Sequence, residues 1–318
     1  MNDAEVVLVT GASYGLGSEI AKHFAARALK LGRDLVLVLT ARSEERLRAV
    51  AAEIQLPGVR TQVIAADLES TEDRRRIADT VLNSHGRIDV FISNAALSPF
   101  RLFEDLSVDE IDSILIANAL APLSLCRSFL PSMIARGRGA IVLNASMAGK
   151  YGLPFNAAYS ASKGALILWA QAMQSELRGT GVGVRVICPM SISRVGVSAR
   201  GGQKTPWILG EVTPERVCQA IYRAAHGGPL EVVISKWPIR PLLAAVQLIP
   251  ALGPAAVRWL GVTKMYAAIG RPSRTLVSGR RTGEPRLPPA PREPDTGRRP
   301  GGKIGRSIDG SEGGRTLE

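Results

Sequence analysis

The stretch Val6-Val7-Leu8-Val9-Thr10-Gly11-Ala12-Ser13-Tyr14-Gly15-Leu16-Gly17 decides how the rest of the chain is read. Four consecutive aliphatic residues, with no polar alternation, predict a strand buried on both faces of a parallel sheet. Glycines at 11, 15 and 17 then predict a tight turn that brings the backbone close to a ligand. Residues 18–31 follow with Ile20, Phe24 and Ala28 at helical spacing. Such a turn gathers unpaired N–H groups and the positive end of a helix dipole at one point, which suits a pyrophosphate.

The same rhythm continues outward. Further strands are predicted at 35–39, 61–65, 90–93, 140–144, 184–188 and 231–234. Helices are predicted at 44–54, 71–83, 108–136 and 159–178. Strands alternating with helices predict an α/β fold, a doubly wound parallel sheet of the Rossmann type with helices on both faces. Residues 1–236 form this predicted catalytic domain. Residues 237–270 are an apolar, Pro-broken extension, read as a lid, a dimer element or a membrane-surface element. Residues 271–318 hold 11 Lys and Arg, 6 Asp and Glu, and few large apolar residues. Such a segment buries too little surface to offset its ordering entropy, and disorder is expected there.

Composition narrows the function classes. The chain has 318 residues, 46% of them hydrophobic, and a net charge of +12. The charge outside the tail is dispersed, and the tail lacks interleaved aromatics, so no nucleic-acid partner is expected. Three widely spaced cysteines exclude a disulfide framework and fit a reducing, cytoplasmic setting. His23, His85 and His226 stand in no ligand spacing, so no metal site is expected. The N-terminus reads without a secretory leader. The uncharged run between Arg240 and Arg258 is interrupted by Pro241, Pro250 and Pro254 and is shorter than the ~20 residues of a spanning helix.

Further motifs fall at the predicted strand ends: Asp67-Leu68, Asn94-Ala95-Ala96, Asn118, Ser146 and Tyr159-Ser160-Ala161-Ser162-Lys163. With the G-x-x-x-G-x-G turn, over about residues 4–235, the chain resembles the short-chain dehydrogenase/reductase family, in its single-domain NAD(P)-binding branch. The resemblance implies that Gly11, Ser13, Tyr14, Gly15, Leu16 and Gly17 hold the cofactor phosphates. It implies that Asp67 contacts the adenine, that Leu68 belongs to the cofactor site and that Asn94 packs beside the cofactor. At the end of the second strand, no acidic residue stands between Asp34 and Glu44 to accept from a ribose 2′-hydroxyl, and Arg42 offers a guanidinium to a 2′-phosphate. NADP(H) is therefore favoured over NAD(H), although Tyr14 stands where NADP-preferring relatives often carry a basic residue.

Tyr159 and Lys163, four apart on a predicted helix, share one face. A nearby ammonium is expected to draw a tyrosine down from its usual pKa of about 10 toward the working range. Ser146 is placed to hydrogen-bond a substrate oxygen. By the resemblance, Asn118 holds a water linking Lys163 to solvent, and the Ile192 backbone contacts the nicotinamide. Ser160 and Ser162 are expected to point elsewhere. The run Pro189-Met190-Ser191-Ile192-Ser193-Arg194 departs from the family, which usually carries Gly at 190 and Thr at 194. Ala96 replaces another usual glycine and asks for a backbone without positive φ. Residues 195–207 read as a lid.

These residues lead to an expected reaction. Hydride passes between the nicotinamide and a carbonyl or secondary alcohol, and Tyr159 is the general acid or base. Tyr151, Leu153, Pro154 and Phe155 suggest an apolar small-molecule substrate. Two other readings stand beside this one: an NAD-dependent alcohol or hydroxysteroid dehydrogenase working oxidatively, and a non-catalytic cofactor sensor. A homo-oligomer and a peripheral membrane contact through 237–270 complete the expectations.

Overall fold

A computed structural model describes residues 4–193, 195, 210–236, 239–249, 251–259, 261 and 263. Arg194, most of the predicted lid and the whole predicted tail lie outside the described residues. Seven parallel strands form one sheet in the order β3-β2-β1-β4-β5-β6-β7. They are β1 Glu5–Thr10, β2 Leu35–Ala41, β3 Val59–Ala65, β4 Val90–Ser93, β5 Gly139–Asn144, β6 Val182–Pro189 and β7 Glu231–Ile234. The order reverses between β1 and β4, and the carboxyl ends of the strands there open a crevice, the usual ligand position in such sheets.

Alternation along β1 feeds two cores. Val6 and Leu8 point to one face, with Phe91, Phe129, Ile141 and Leu166. Val7 and Val9 point to the other, with Ile20, Phe24, Leu47 and Ile221. Each fully buried aliphatic or aromatic side chain contributes about 1.5–3 kcal/mol, so both faces hold the sheet in place. The first core lies under α3 Thr71–His85, α5 Ala121–Ala135 and α6 Ala157–Glu176. The second lies under α1 Gly15–Leu31, α2 Glu44–Glu53 and α7 Pro214–Ala225.

The helix predicted over 108–136 is divided. α4 Val108–Leu115 gives way to a π turn at Ile116–Leu120 before α5 begins. Pro122 explains the widening, because it has no N–H to give to the Asn118 carbonyl four residues back. This segment is long and apolar enough to span a membrane by composition. It packs on α3 and α6, and Leu125, Cys126, Phe129 and Met133 of α5 belong to the core.

Helix α7 was not predicted. Thr213 caps it by accepting from Arg216 N, Pro214 opens it, and Val217, Cys218, Ile221 and Ala224 form its buried stripe. Within the Pro-broken extension the structure forms α8 Arg240–Leu248 and α9 Leu252–Trp259.

Candidate active site

The turn after β1 is built from backbone in contact with backbone. Gly11 has φ +67°, and a Cβ on it would stand 2.8 Å from Ala95 Cα. A Cβ on Gly17 would stand 2.0 Å from the Gly11 carbonyl oxygen. α1 begins after Tyr14, which is extended and gives no capping side chain, and its first turn carries no acid. By contrast Ser43, Ser70, Ser107 and Thr213 cap α2, α3, α4 and α7. An uncapped helix N-terminus above a glycine cradle fits a nucleotide pyrophosphate.

A cleft of about 420 Å³ runs from this turn across the strand ends to α8 and α9. Of the predicted site residues, only Asn118 lies off its lining. At the adenine end Arg42 is exposed beside Ser43, and the Arg46 guanidinium stands 6.0 Å from the centre of the Tyr14 ring. Arg46 was not foreseen. It lies in the first turn of α2, and only the fold brings it to the glycine turn. Asp67 Oδ1 accepts from Glu69 N at 3.0 Å, and Asp67 N donates to Asp73 Oδ2 at 2.7 Å. That backbone bond, and then the Arg76 guanidinium, hold the Asp73 carboxyl below its usual range.

At the switch point Asn94 joins three strands. Its Nδ2 donates to Thr10 O at 3.1 Å, its backbone N donates to Thr10 Oγ1 at 3.0 Å, and its Oδ1 accepts from Asn144 Nδ2 at 3.0 Å. Ala96 keeps an ordinary φ. Among described non-glycine residues the left-handed conformation falls on Phe100 and Phe155, at φ 52° and 61°.

Tyr159 and Lys163 share the cleft face of α6. Ser146 meets them from the turn after β5, where its Oγ accepts from Ala148 N at 3.1 Å and is hydrogen-bonded to the Tyr159 hydroxyl. This turn sits close to α6 because Gly149 has no side chain; a Cβ there would stand 2.6 Å from the Lys163 carbonyl carbon. Lys163 Nζ donates to Asn144 O at 2.8 Å and lies 5.7 Å from the Tyr159 ring centre.

The electrostatic balance differs from the expectation. Burial pushes the Tyr159 hydroxyl up, the Ser146 hydrogen bond opposes this, and buried Cys188 adds to the rise. Burial also lowers Lys163, to about 8. The Lys163 ammonium is hydrogen-bonded to the Asn144 carbonyl, and desolvation is the largest effect on both groups.

Asn118 is fully buried and clamps the loop after β4. Its Oδ1 accepts from Leu97 N at 2.7 Å, and its Nδ2 donates to Leu97 O at 2.8 Å and to Ser162 Oγ at 3.1 Å. Ser162 also donates to Tyr159 O at 2.7 Å, and Ser160 Oγ accepts from Leu153 N at 3.1 Å. Neither serine lines the cleft.

The far end of the cleft is apolar. Tyr151 and Leu153 line it, whereas Pro154 and Phe155 do not. Met190 lines it too, with its N–H on Ile234 O at 2.9 Å and no positive φ, so glycine is not required there. Ile192 is bridged to Val212 and faces the cleft. Leu242, Leu243 and Val246 of α8 and Val257 of α9 complete the wall.

A nucleotide cradle at a sheet switch point, with Tyr, Lys and Ser converging beside it, defines a nicotinamide-dependent oxidoreductase. The family profile described as short chain dehydrogenase matches residues 5–203. The chain is 36% identical over 263 residues to a ketoacyl reductase, HetN, of Nostoc sp., covering 81% of this chain and 90% of that protein. It is 31% identical to dehydrogenase/reductase SDR family member 7B of Xenopus laevis, covering 73% and 74%. A metagenomic short-chain oxidoreductase solved in complex with NADP superimposes with a TM-score of 0.62 at 32% identity, covering 72% of this chain and 96% of that one. The chain belongs to the short-chain dehydrogenase/reductase family and is an NAD(P)-dependent oxidoreductase.

Proposed function

We propose that the protein is an NADP(H)-dependent reductase of ketones or aldehydes with an apolar body, with Tyr159 as the general acid. The observation that carries this is the convergence of Tyr159, Ser146 and Lys163 on one cleft whose far wall is aliphatic and aromatic. The bound cofactor supplies the hydride. A tyrosine raised by burial stays protonated at neutral pH, which suits donation to a carbonyl oxygen. Ser146 holds that oxygen through its hydroxyl, and Lys163 faces the negative charge left on the tyrosine. Asn118 acts as a positioning residue, because it fixes the loop at Leu97 and the turn of α6 beneath Tyr159. Tyr159→Phe is expected to reduce turnover by about 10³-fold, within the range for a lost general acid, with NADPH binding nearly unchanged. Full turnover in that variant ends the assignment.

Arg42 and Arg46 support the cofactor preference. Arg42 and Arg46 line the cleft with Tyr14, the Arg46 guanidinium 6.0 Å from its ring centre, and no carboxylate ends β2. Arg46 thus supplies from α2 the positive charge that the glycine turn lacks. Arg42→Ala and Arg46→Ala are each expected to weaken 2′,5′-ADP about tenfold while leaving 5′-ADP unchanged. Equal losses for both ligands contradict the 2′-phosphate role and favour the oxidative NAD-dependent reading.

A cytoplasmic setting and self-association belong to the same reading. The three cysteines are free and buried, which fits a reducing compartment. Val108, Leu120 and Leu168 are exposed on the α4–α5 segment and α6, and sedimentation velocity checks whether copies meet there.

A further inference from the structure

The α8–α9 hairpin has two apolar faces, and the cleft uses only one. Leu242, Leu243, Val246 and Val257 face the cleft. Leu248, Ile249, Leu252 and Trp259 face outward, with Leu248 83% and Trp259 79% exposed. Leu248, Ile249 and Leu252 stand at the turn between the two helices and Trp259 ends α9; large exposed apolar side chains on one short element are costly in water and mark an interaction surface. The chain around them is strongly one-signed. Among the described residues from Val232 to Trp259 it carries Lys236, Arg240 and Arg258 and no Asp or Glu. Arg240 opens α8, and Arg258 stands beside Trp259 at the end of α9. Apolar residues that enter an acyl boundary, flanked by cations for anionic headgroups, are the pattern of an interfacial helix.

We propose that the α8–α9 hairpin seats the protein on an anionic lipid surface. Leu248, Ile249, Leu252 and Trp259 enter the bilayer boundary, and the wall of the cleft lies against the membrane. A lipid-dissolved substrate then reaches the cleft beside the hairpin without crossing bulk water. Only this last step rests on the proposed reductase reading, and the binding experiment needs no turnover.

The test is flotation of the full chain with vesicles of phosphatidylcholine alone and with 30% phosphatidylglycerol. The expected result is at least tenfold more protein on the anionic vesicles, reduced at high salt. The double variant Leu248→Glu, Trp259→Glu should lose that enrichment while retaining NADPH binding and turnover of a short, water-soluble ketone. Trp259→Phe should abolish the part of the fluorescence quenched by brominated lipid. Equal recovery with and without anionic vesicles overturns the proposal. So does a double variant that still floats, or one whose only change is a shift from dimer to monomer in sedimentation, which would make the hairpin face a self-association surface.

Discussion

The two ends of the cleft each depend on a glycine, but in different ways. At the cofactor end, a Cβ on Gly17 would stand 2.0 Å from the Gly11 carbonyl oxygen, so backbone opposes backbone. At the substrate end, a Cβ on Gly253 would stand 2.4 Å from the Tyr151 ring and hydroxyl, so a side chain opposes it. Backbone in a sheet-anchored turn cannot give way without moving β1 and α1. A tyrosine on a loop can turn about its χ1 bond. The first end is therefore built for one ligand shape, and the second can be reshaped by single substitutions.

That contrast is easiest to break at the cofactor end. Gly17→Ala is expected to weaken NADPH by about 10³-fold, about 4 kcal/mol, in a fluorescence titration. Near-normal affinity in a folded variant would mean that the turn yields after all.

Lys163 lies where the two ends meet and gives a second test through pH. Its folded pKa of about 8 lies below the usual lysine value of 10.5. Below pH 8 the lysine is charged in both folded and unfolded chains, and its burial costs the full difference. Between 8 and 10.5 only the unfolded chain holds the proton, so that cost fades as pH rises. Wild type should gain on the order of 3 kcal/mol relative to Lys163→Met over this interval, read from urea midpoints at pH 7 and 10. A pH-independent difference would show that the ammonium is not buried as described. The smallest effect belongs to Gly253→Ala, expected to change KM for apolar ketones about threefold by turning Tyr151, with NADPH affinity unaltered. A loss of NADPH affinity there would join the two ends into one rigid unit.

What could be read from the sequence follows the same division. The β1 run, the glycine turn and the Tyr159–Lys163 spacing are local patterns, and each element appeared within a few residues of its expected place. Ser146 was legible for the same reason, as the residue just past a strand. Features made by packing were not legible. The π turn depends on Pro122, a local signal that hydrophobic periodicity passes over. The approach of Arg46 to Tyr14 depends on how α2 lies against α1. The rise of Tyr159, against the expected fall, depends on burial, which spacing does not report. The signals of helix α7 are local: a Thr213 cap, an opening Pro214 and an apolar stripe. The role of α8 and α9 is not legible in the sequence, because an apolar stripe does not say what covers it.

The double-faced hairpin has a thermodynamic consequence. Ligand in the cleft touches one side of the α8–α9 pair, and whatever meets Leu248 and Trp259 touches the other. If occupancy of either face changes affinity at the opposite face, linkage requires the reverse effect to be equal in factor. A ketone that tightens the hairpin's hold on its outer contact must itself be held tighter once that contact is made. Product that fits the wall less well must loosen both together.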